Sequence, residues 1–138
     1  MLVASLDAIT GTASHVLLQH RALWSHQGGT WGIPGGAIAT GETALEGALR
    51  EAGEEAGIRS EHIRVVGTVV LDHGMWSYTT QLAILDSLAR PVLEAQDAES
   101  IELRWVPIDE VPRYELLSAF GEQWPIYLAA LRRGLQRQ

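Results

Sequence analysis

The sequence contains no cysteine, which excludes disulfides, thiolate metal sites and a cysteine nucleophile while leaving the compartment open. No apolar run exceeds a few residues, so no stretch suits a membrane span. Met1 leads into LVASLDAIT without a basic n-region or a signal core, so the cytoplasm is the expected location. Basic residues are in the minority. The 10 Lys and Arg against 17 Asp and Glu give a formal charge of −7, which argues against a surface for long phosphate backbones. A single nucleotide can still enter an acidic pocket, because the cations it carries bridge carboxylate and phosphate oxygens. Internal repeats, low-complexity segments and interdomain linkers are also missing. What remains, 138 residues with 46% hydrophobic, has enough apolar material for one domain.

The chain is organised around GAIATGETALEGALREAGEEAGI, from Gly36 to Ile58. Read as a helix from Thr43 to Ala56, it puts Leu45, Ala48, Leu49, Ala52 and Ala56 within an arc of roughly 100°, suited to packing on a sheet. Glu51, Glu54 and Glu55 share a second arc roughly 120° away. Thr43 with Glu46 predicts a capping box, and Gly57 stands where a left-handed stop is needed. Three carboxylates on one short face repel one another by a few tenths of a kcal/mol per pair. Two readings follow: a solvated acidic face, or a set of oxygen ligands for a hard divalent cation.

The wider pattern favours the second. Gly36, five residues, Glu42, seven residues, then Arg50-Glu51-Ala52-Gly53-Glu54-Glu55-Ala56-Gly57-Ile58 resembles the Nudix box, with every fixed Gly, Glu and Arg filled. Ala52 stands where that family prefers a larger aliphatic residue. Gly53, at a free position inside the helix, should cost roughly 1 kcal/mol against Ala.

The remaining chain reads as strands and a closing helix. Leu2 to Ala8 and Ser14 to His20 are expected strands, the first with less lead-in than is usual in the family. Ile63 to Asp72 and Trp76 to Leu85 are β-branched-rich runs expected to pair as a hairpin. In the second of these, Trp76, Tyr78, Thr80 and Leu82 alternate with Ser77, Thr79, Gln81 and Ala83, so one set should face the core and the other a cleft or solvent. Ser100 to Val106 reads as a strand running into a turn at Ile108 to Val111. A last helix is expected from about Gln123, since Pro125 suits a first turn, with Trp124, Tyr127, Leu128 and Leu131 as its buried stripe. This mixed order is α/β. The resemblance implies the Nudix α/β/α sandwich over 1–138, with the box helix and a C-terminal helix packed on a mixed sheet.

It also implies a metal-dependent pyrophosphohydrolase that cleaves a nucleoside diphosphate linked to another group. Mg²⁺, with Mn²⁺ as a substitute, would be held by Glu51, Glu54 and Glu55 and by a backbone carbonyl of Gly36 or Gly35. Arg50 would orient the carboxylates by pairing with Glu42 or Glu51. Glu54 or Glu99 would act as base, with Asp97 and Glu102 behind Glu99 as loop or strand acids. Candidate substrate contacts are Trp76, Tyr78, Trp31 and Arg21, although aromatic residues in such positions are more often core or rim than stacking platforms. In the loop that follows Arg21, Trp24 is open to the same stacking or core readings as Trp31, and His26 is a weaker candidate for a base. The expected partner is a small nucleotide, with a homodimer also open, and neither a nucleic-acid polymer nor a membrane is expected. No proline or tyrosine lies between Arg59 and Met75, and Tyr78 lies too far along to mark a dinucleoside polyphosphate enzyme. The chain therefore resembles the unmarked group that includes (d)NTP and oxidised (d)NTP pyrophosphatases. ADP-ribose or nucleotide-sugar hydrolysis, or nucleotide sensing without turnover, are the alternatives.

Overall fold

The computed structural model of the protein describes residues 1–35, 39–72, 74–75, 77–87, 90–95 and 100–138. Its sheet is built outward from β1 (Leu2–Leu6), whose apolar LVAS stretch is buried. On one side β1 pairs antiparallel with β2 (Ala13–Arg21), Ala4 opposite Val16. On the other it runs parallel to β5 (Ser77–Leu85), Leu2 opposite Leu82. The sequence reading carried β1 on to Ala8. It stops earlier because the Asp7 carboxylate accepts the amides of Ile9 and Thr10 at 2.8 and 2.9 Å, which turns the chain.

The far edge of β2 pairs antiparallel with β6 (Ser100–Pro107) from His15 to Arg21. Its near edge is divided between β1 at the start and a two-residue strand, β3 (Trp31–Gly32), at the end. As expected, β5 forms a hairpin with β4 (Ile63–Asp72), which closes the other side of the sheet. The order is β3-β2-β1-β5-β4, with β6 also on β2.

A helix covers each face of this sheet. The box helix α1 (Ala44–Ala56) buries Ala52 and Ala56 against Val3, Leu17 and Ala83. The C-terminal helix α2 (Ser118–Gln136) buries Phe120, Trp124, Tyr127 and Leu131 against the opposite face, where Leu82 and Ile84 lie. The alternation expected of β5 therefore fails beyond Thr79. From Thr80 to Leu85 both sets of side chains are buried, because both faces meet a helix. Full burial of residues such as Leu82 and Ile84 stabilises by about 1.5–3 kcal/mol each.

Three further expectations need correcting. Helix α2 begins at Ser118, well before Gln123, and holds Pro125 in its interior. Pro125 is exposed, so the carbonyl that loses its amide partner there can bond to water. Leu45, placed by its spacing on the buried arc of α1, is exposed. It lies in the first turn, and the sheet contact is made further along by Ala52 and Ala56. The segment Ile108–Arg113, expected to start as a turn, is a 3₁₀ helix.

Candidate active site

The boundaries of α1 are fixed by its own sequence. Thr43 Oγ1 accepts the Glu46 amide at 3.1 Å, and the Glu46 carboxylate accepts the Thr43 amide at 3.0 Å, which is the reciprocal capping box expected. At the other end Gly57 takes a left-handed φ of 70°, and the amides of Gly57 and Ile58 bond back to Gly53 and Ala52. Between these ends the helix must present Arg50, Glu51, Glu54 and Glu55 one turn apart.

Arg50 ties this face together. Its Nε and Nη2 donate to the two oxygens of Glu42 at 2.8 and 3.1 Å, and its Nη1 donates to Glu51 at 2.9 Å and to Glu54 at 3.1 Å. The sequence left Arg50 between Glu42 and Glu51; the structure gives it both. These bonds push the guanidinium further above its ordinary value, the Glu42 contact contributing most. The Glu42 carboxyl is in turn held below its ordinary range, first by Arg50 and then by the Ala39 amide, which donates at 2.7 Å.

Glu55 faces the other way. It is 4% exposed, turned toward the sheet, and its Oε2 accepts the Gly35 amide at 2.8 Å. The Met1 amino group is close by, donating to the Pro34 carbonyl at 2.7 Å. Burial draws that amine down to about 6, opposed by the charges of Glu55 and Glu51. Tyr78 reaches the same turn, for a Cβ on Gly35 would lie 3.4 Å from its hydroxyl. Burial of that end of the ring, then Tyr127 and Glu55, raise the Tyr78 phenol above its ordinary value.

A cleft of about 280 Å³ opens beside Glu55 and Gly35. Gln19 and Arg21, at the end of β2, line it together with the loop residues Trp24, Ser25 and His26. Gln19 is a contributor that the sequence reading missed. It is buried and bonded to the Ser100 hydroxyl, and its signal was a lone amide after the apolar run Val16-Leu17-Leu18.

Of the predicted site residues, the structure brings Arg50, Glu51 and Glu54 together on one network, and Glu55 and Arg21 onto one cleft. Trp31 is placed elsewhere. It is 7% exposed, stacked on His20 at 4.3 Å, edge-on to Tyr114, and capped by the Arg104 guanidinium 4.8 Å from a ring centroid. A nucleobase has no open face of that indole to reach. The partners of Glu102 are Arg104 at 2.9 Å and His20 at 3.9 Å, away from the box glutamates. Gly36, Trp76, Asp97 and Glu99 lie outside the described residues.

The donor chemistry of α1 suits a hard divalent cation, since all three carboxylates offer oxygen ligands. Arg50 engages one oxygen of Glu51 and one of Glu54, and the second oxygen of each lies outside those bonds. Among the described residues no three His, Asp or Glu side chains converge on one point. A cation here would complete its shell with water, backbone or substrate oxygens, as Mg²⁺ commonly does.

A mixed sheet between two helices, with a capped Arg-Glu helix and a glycine turn beside a cleft, has the architecture of the Nudix fold. The chain belongs to the Nudix family, whose domain model matches residues 3–128. It is 51% identical over 131 residues to the "Nucleoside triphosphate pyrophosphatase/Nudix hydrolase fusion protein" of Bifidobacterium longum, covering 95% of this chain and 27% of that one. It is 48% identical over 115 residues to the "Putative 8-oxo-dGTP diphosphatase 3" of Mycobacterium tuberculosis, covering 79% and 52%. The chain thus spans about a quarter and about half the length of these two relatives. Among solved structures it is similar to the Nudix hydrolase RenU from M. smegmatis, with a TM-score of 0.75 and 39% identity over 91% of this chain and 78% of that one. Among the described residues no helix is long and apolar enough to cross a membrane.

Proposed function

We propose that this chain, as a single Nudix domain, is a Mg²⁺-dependent pyrophosphohydrolase acting on nucleoside triphosphates, oxidised ones among them. The observation that carries this reading is the Arg50 network. One guanidinium joins Glu42, just before the helix, to Glu51 and Glu54 on the helix whose Glu55 borders the cleft. The names of the two relatives support the substrate class. Glu51, Glu54 and Glu55 would hold the cation, which supplies charge neutralisation at the phosphates and a more acidic bound water. Arg50 keeps the carboxylates aligned through a charge it never loses. Glu54, 60% exposed and bonded to Arg50 through Oε2, would take a proton from the attacking water. Arg21 lines the cleft, where its charge suits a phosphate.

Phosphate and pyrophosphate release should be measured with and without Mg²⁺ across (d)NTPs, 8-oxo-dGTP, ADP-ribose, dinucleoside polyphosphates and nucleotide sugars. Mg²⁺-dependent turnover of the triphosphates is the expected result. Turnover confined to ADP-ribose or nucleotide sugars would overturn the substrate class. Nucleotide binding without turnover of any member would replace the enzyme by a sensor.

A further inference from the structure

The loop between β2 and β3 is tied down more firmly than an exposed connection requires. Its neck is closed by the Arg21 amide on the Thr30 carbonyl at 2.9 Å and the Gly29 amide on the Arg21 carbonyl at 3.0 Å. Within it, the Ser25 hydroxyl donates to the Ala22 carbonyl and the Thr30 hydroxyl to the Gln27 carbonyl, both at 2.6 Å. The Arg21 guanidinium donates from Nε and Nη2 to the His26 carbonyl at 3.3 and 3.0 Å. The Gln27 side chain accepts the Ser118 amide at 2.9 Å, which fastens the loop to the start of α2. Gln27 holds a left-handed φ of 51°, uncommon for a residue with a Cβ. Gly28 lies so close to the opposite strand of the loop that a Cβ would stand 2.2 Å from the Leu23 carbonyl oxygen.

What this ordered loop presents is apolar. Leu23 is 80% exposed and Trp24 70% exposed, and Trp24 lines the cleft together with Arg21, Glu55 and Gly35. Scattered exposed apolar side chains need no explanation. An indole carried on an ordered loop beside a charged cleft is different, because the backbone that presents it loses little freedom when a flat partner binds.

We propose that Trp24 is the nucleobase platform of this site. The base stacks on its indole, Leu23 extends the apolar edge, and the phosphates run past Arg21 toward Glu55 and its helix. Purines, with the larger rings, bind better than pyrimidines. This rests on the nucleotide-hydrolase reading of the same cleft and adds where the base lies and what selects it.

The test compares the wild-type chain with Trp24→Ala and Trp24→Phe. Binding of α,β-methylene ATP and of inorganic tripolyphosphate is followed by calorimetry in Mg²⁺, and kcat and KM are measured for dGTP and dCTP. Base stacking on an aromatic side chain predicts a dissociation constant for the ATP analogue about 10- to 100-fold weaker in Trp24→Ala, with Trp24→Phe between the two. The kinetic effect falls on KM, more for dGTP than dCTP, and tripolyphosphate, which has no base, loses no affinity. If the variants bind the ATP analogue as tightly as the wild type, or lose tripolyphosphate in proportion, the platform is refuted whether or not the wild type hydrolyses nucleotides. If the wild type binds through Trp24 and turns nothing over, the platform stands and the hydrolase reading fails. If the wild type binds no nucleotide, both fall.

Discussion

Arg50 grips Glu42 at two points, Nε on Oε2 at 2.8 Å and Nη2 on Oε1 at 3.1 Å, across eight residues of chain. A lysine can supply the charge and cannot supply the planar fork. Arg50→Lys should therefore leave the fold intact and let Glu51 and Glu54 lose their common orientation. Loss of such supporting contacts typically costs 10- to 100-fold in activity, and steady-state kinetics on the nucleotide turned over best by the wild type would show it. Equal kcat/KM in wild type and variant would reduce the fork to a structural brace.

The same pair makes stability depend on pH in a defined direction. The Glu42 carboxyl lies below its ordinary value of 4.5 in the folded chain, so its contribution is complete above that value and disappears as pH falls through the lowered one. Melting curves of wild type and Glu42→Gln should therefore differ at neutral pH and draw together below about 4.5. A gap that stays constant to the lowest pH at which the protein folds would contradict the pairing.

Much of this site could be read from the sequence because its determinants are local. The capping box needs only Thr43 and Glu46, the stop only Gly57, and the Arg50 network only the helical repeat plus Glu42. The errors arose where distant segments decide. Nothing near Leu45 says that the sheet contact of α1 begins further along, and nothing near Pro125 says that its side of α2 faces water. Trp31 is buried by His20, Arg104 and Tyr114, three residues scattered over the chain, so its sequence context could not separate a core indole from a stacking one.

Glu54 separates chemistry from folding. Its side chain is 60% exposed and pairs with Arg50 at the surface, so Glu54→Gln should move the melting temperature by less than about 3 °C. If it takes the proton from water, kcat should fall by about 10²- to 10⁴-fold. A loss of less than about tenfold would remove it from that role and turn attention to Glu99.

Two glycines inside helices should respond in opposite ways to alanine. A Cβ on Gly134 of α2 would stand 2.3 Å from the Val66 carbonyl oxygen, a backbone atom that cannot move aside. Gly134→Ala should destabilise by about 1–3 kcal/mol as α2 lifts from β4. Gly53 meets only the Ile58 carbonyl at 3.5 Å, an ordinary contact. Gly53→Ala should stabilise by about 0.5–1 kcal/mol through helix propensity alone. Denaturant titrations of both variants decide the matter: stabilisation by Gly134→Ala would contradict the close α2–β4 approach, and destabilisation by Gly53→Ala would contradict the open space at Gly53.

The position of β1 has a bearing on the order of events during folding. Leu2 is matched in register to Leu82, so the middle of the sheet is assembled from the two strands furthest apart among those that touch there. Until β5 has arrived, β1 can be paired only through β2, and one side of its backbone is left unsatisfied. Closure of so long a loop comes before its contacts are gained, which favours slow folding and a late, cooperative completion of the centre. Both helices pack on the sheet that this step completes, so the carboxylate face of α1 should acquire its final position only when the last central strand is in place.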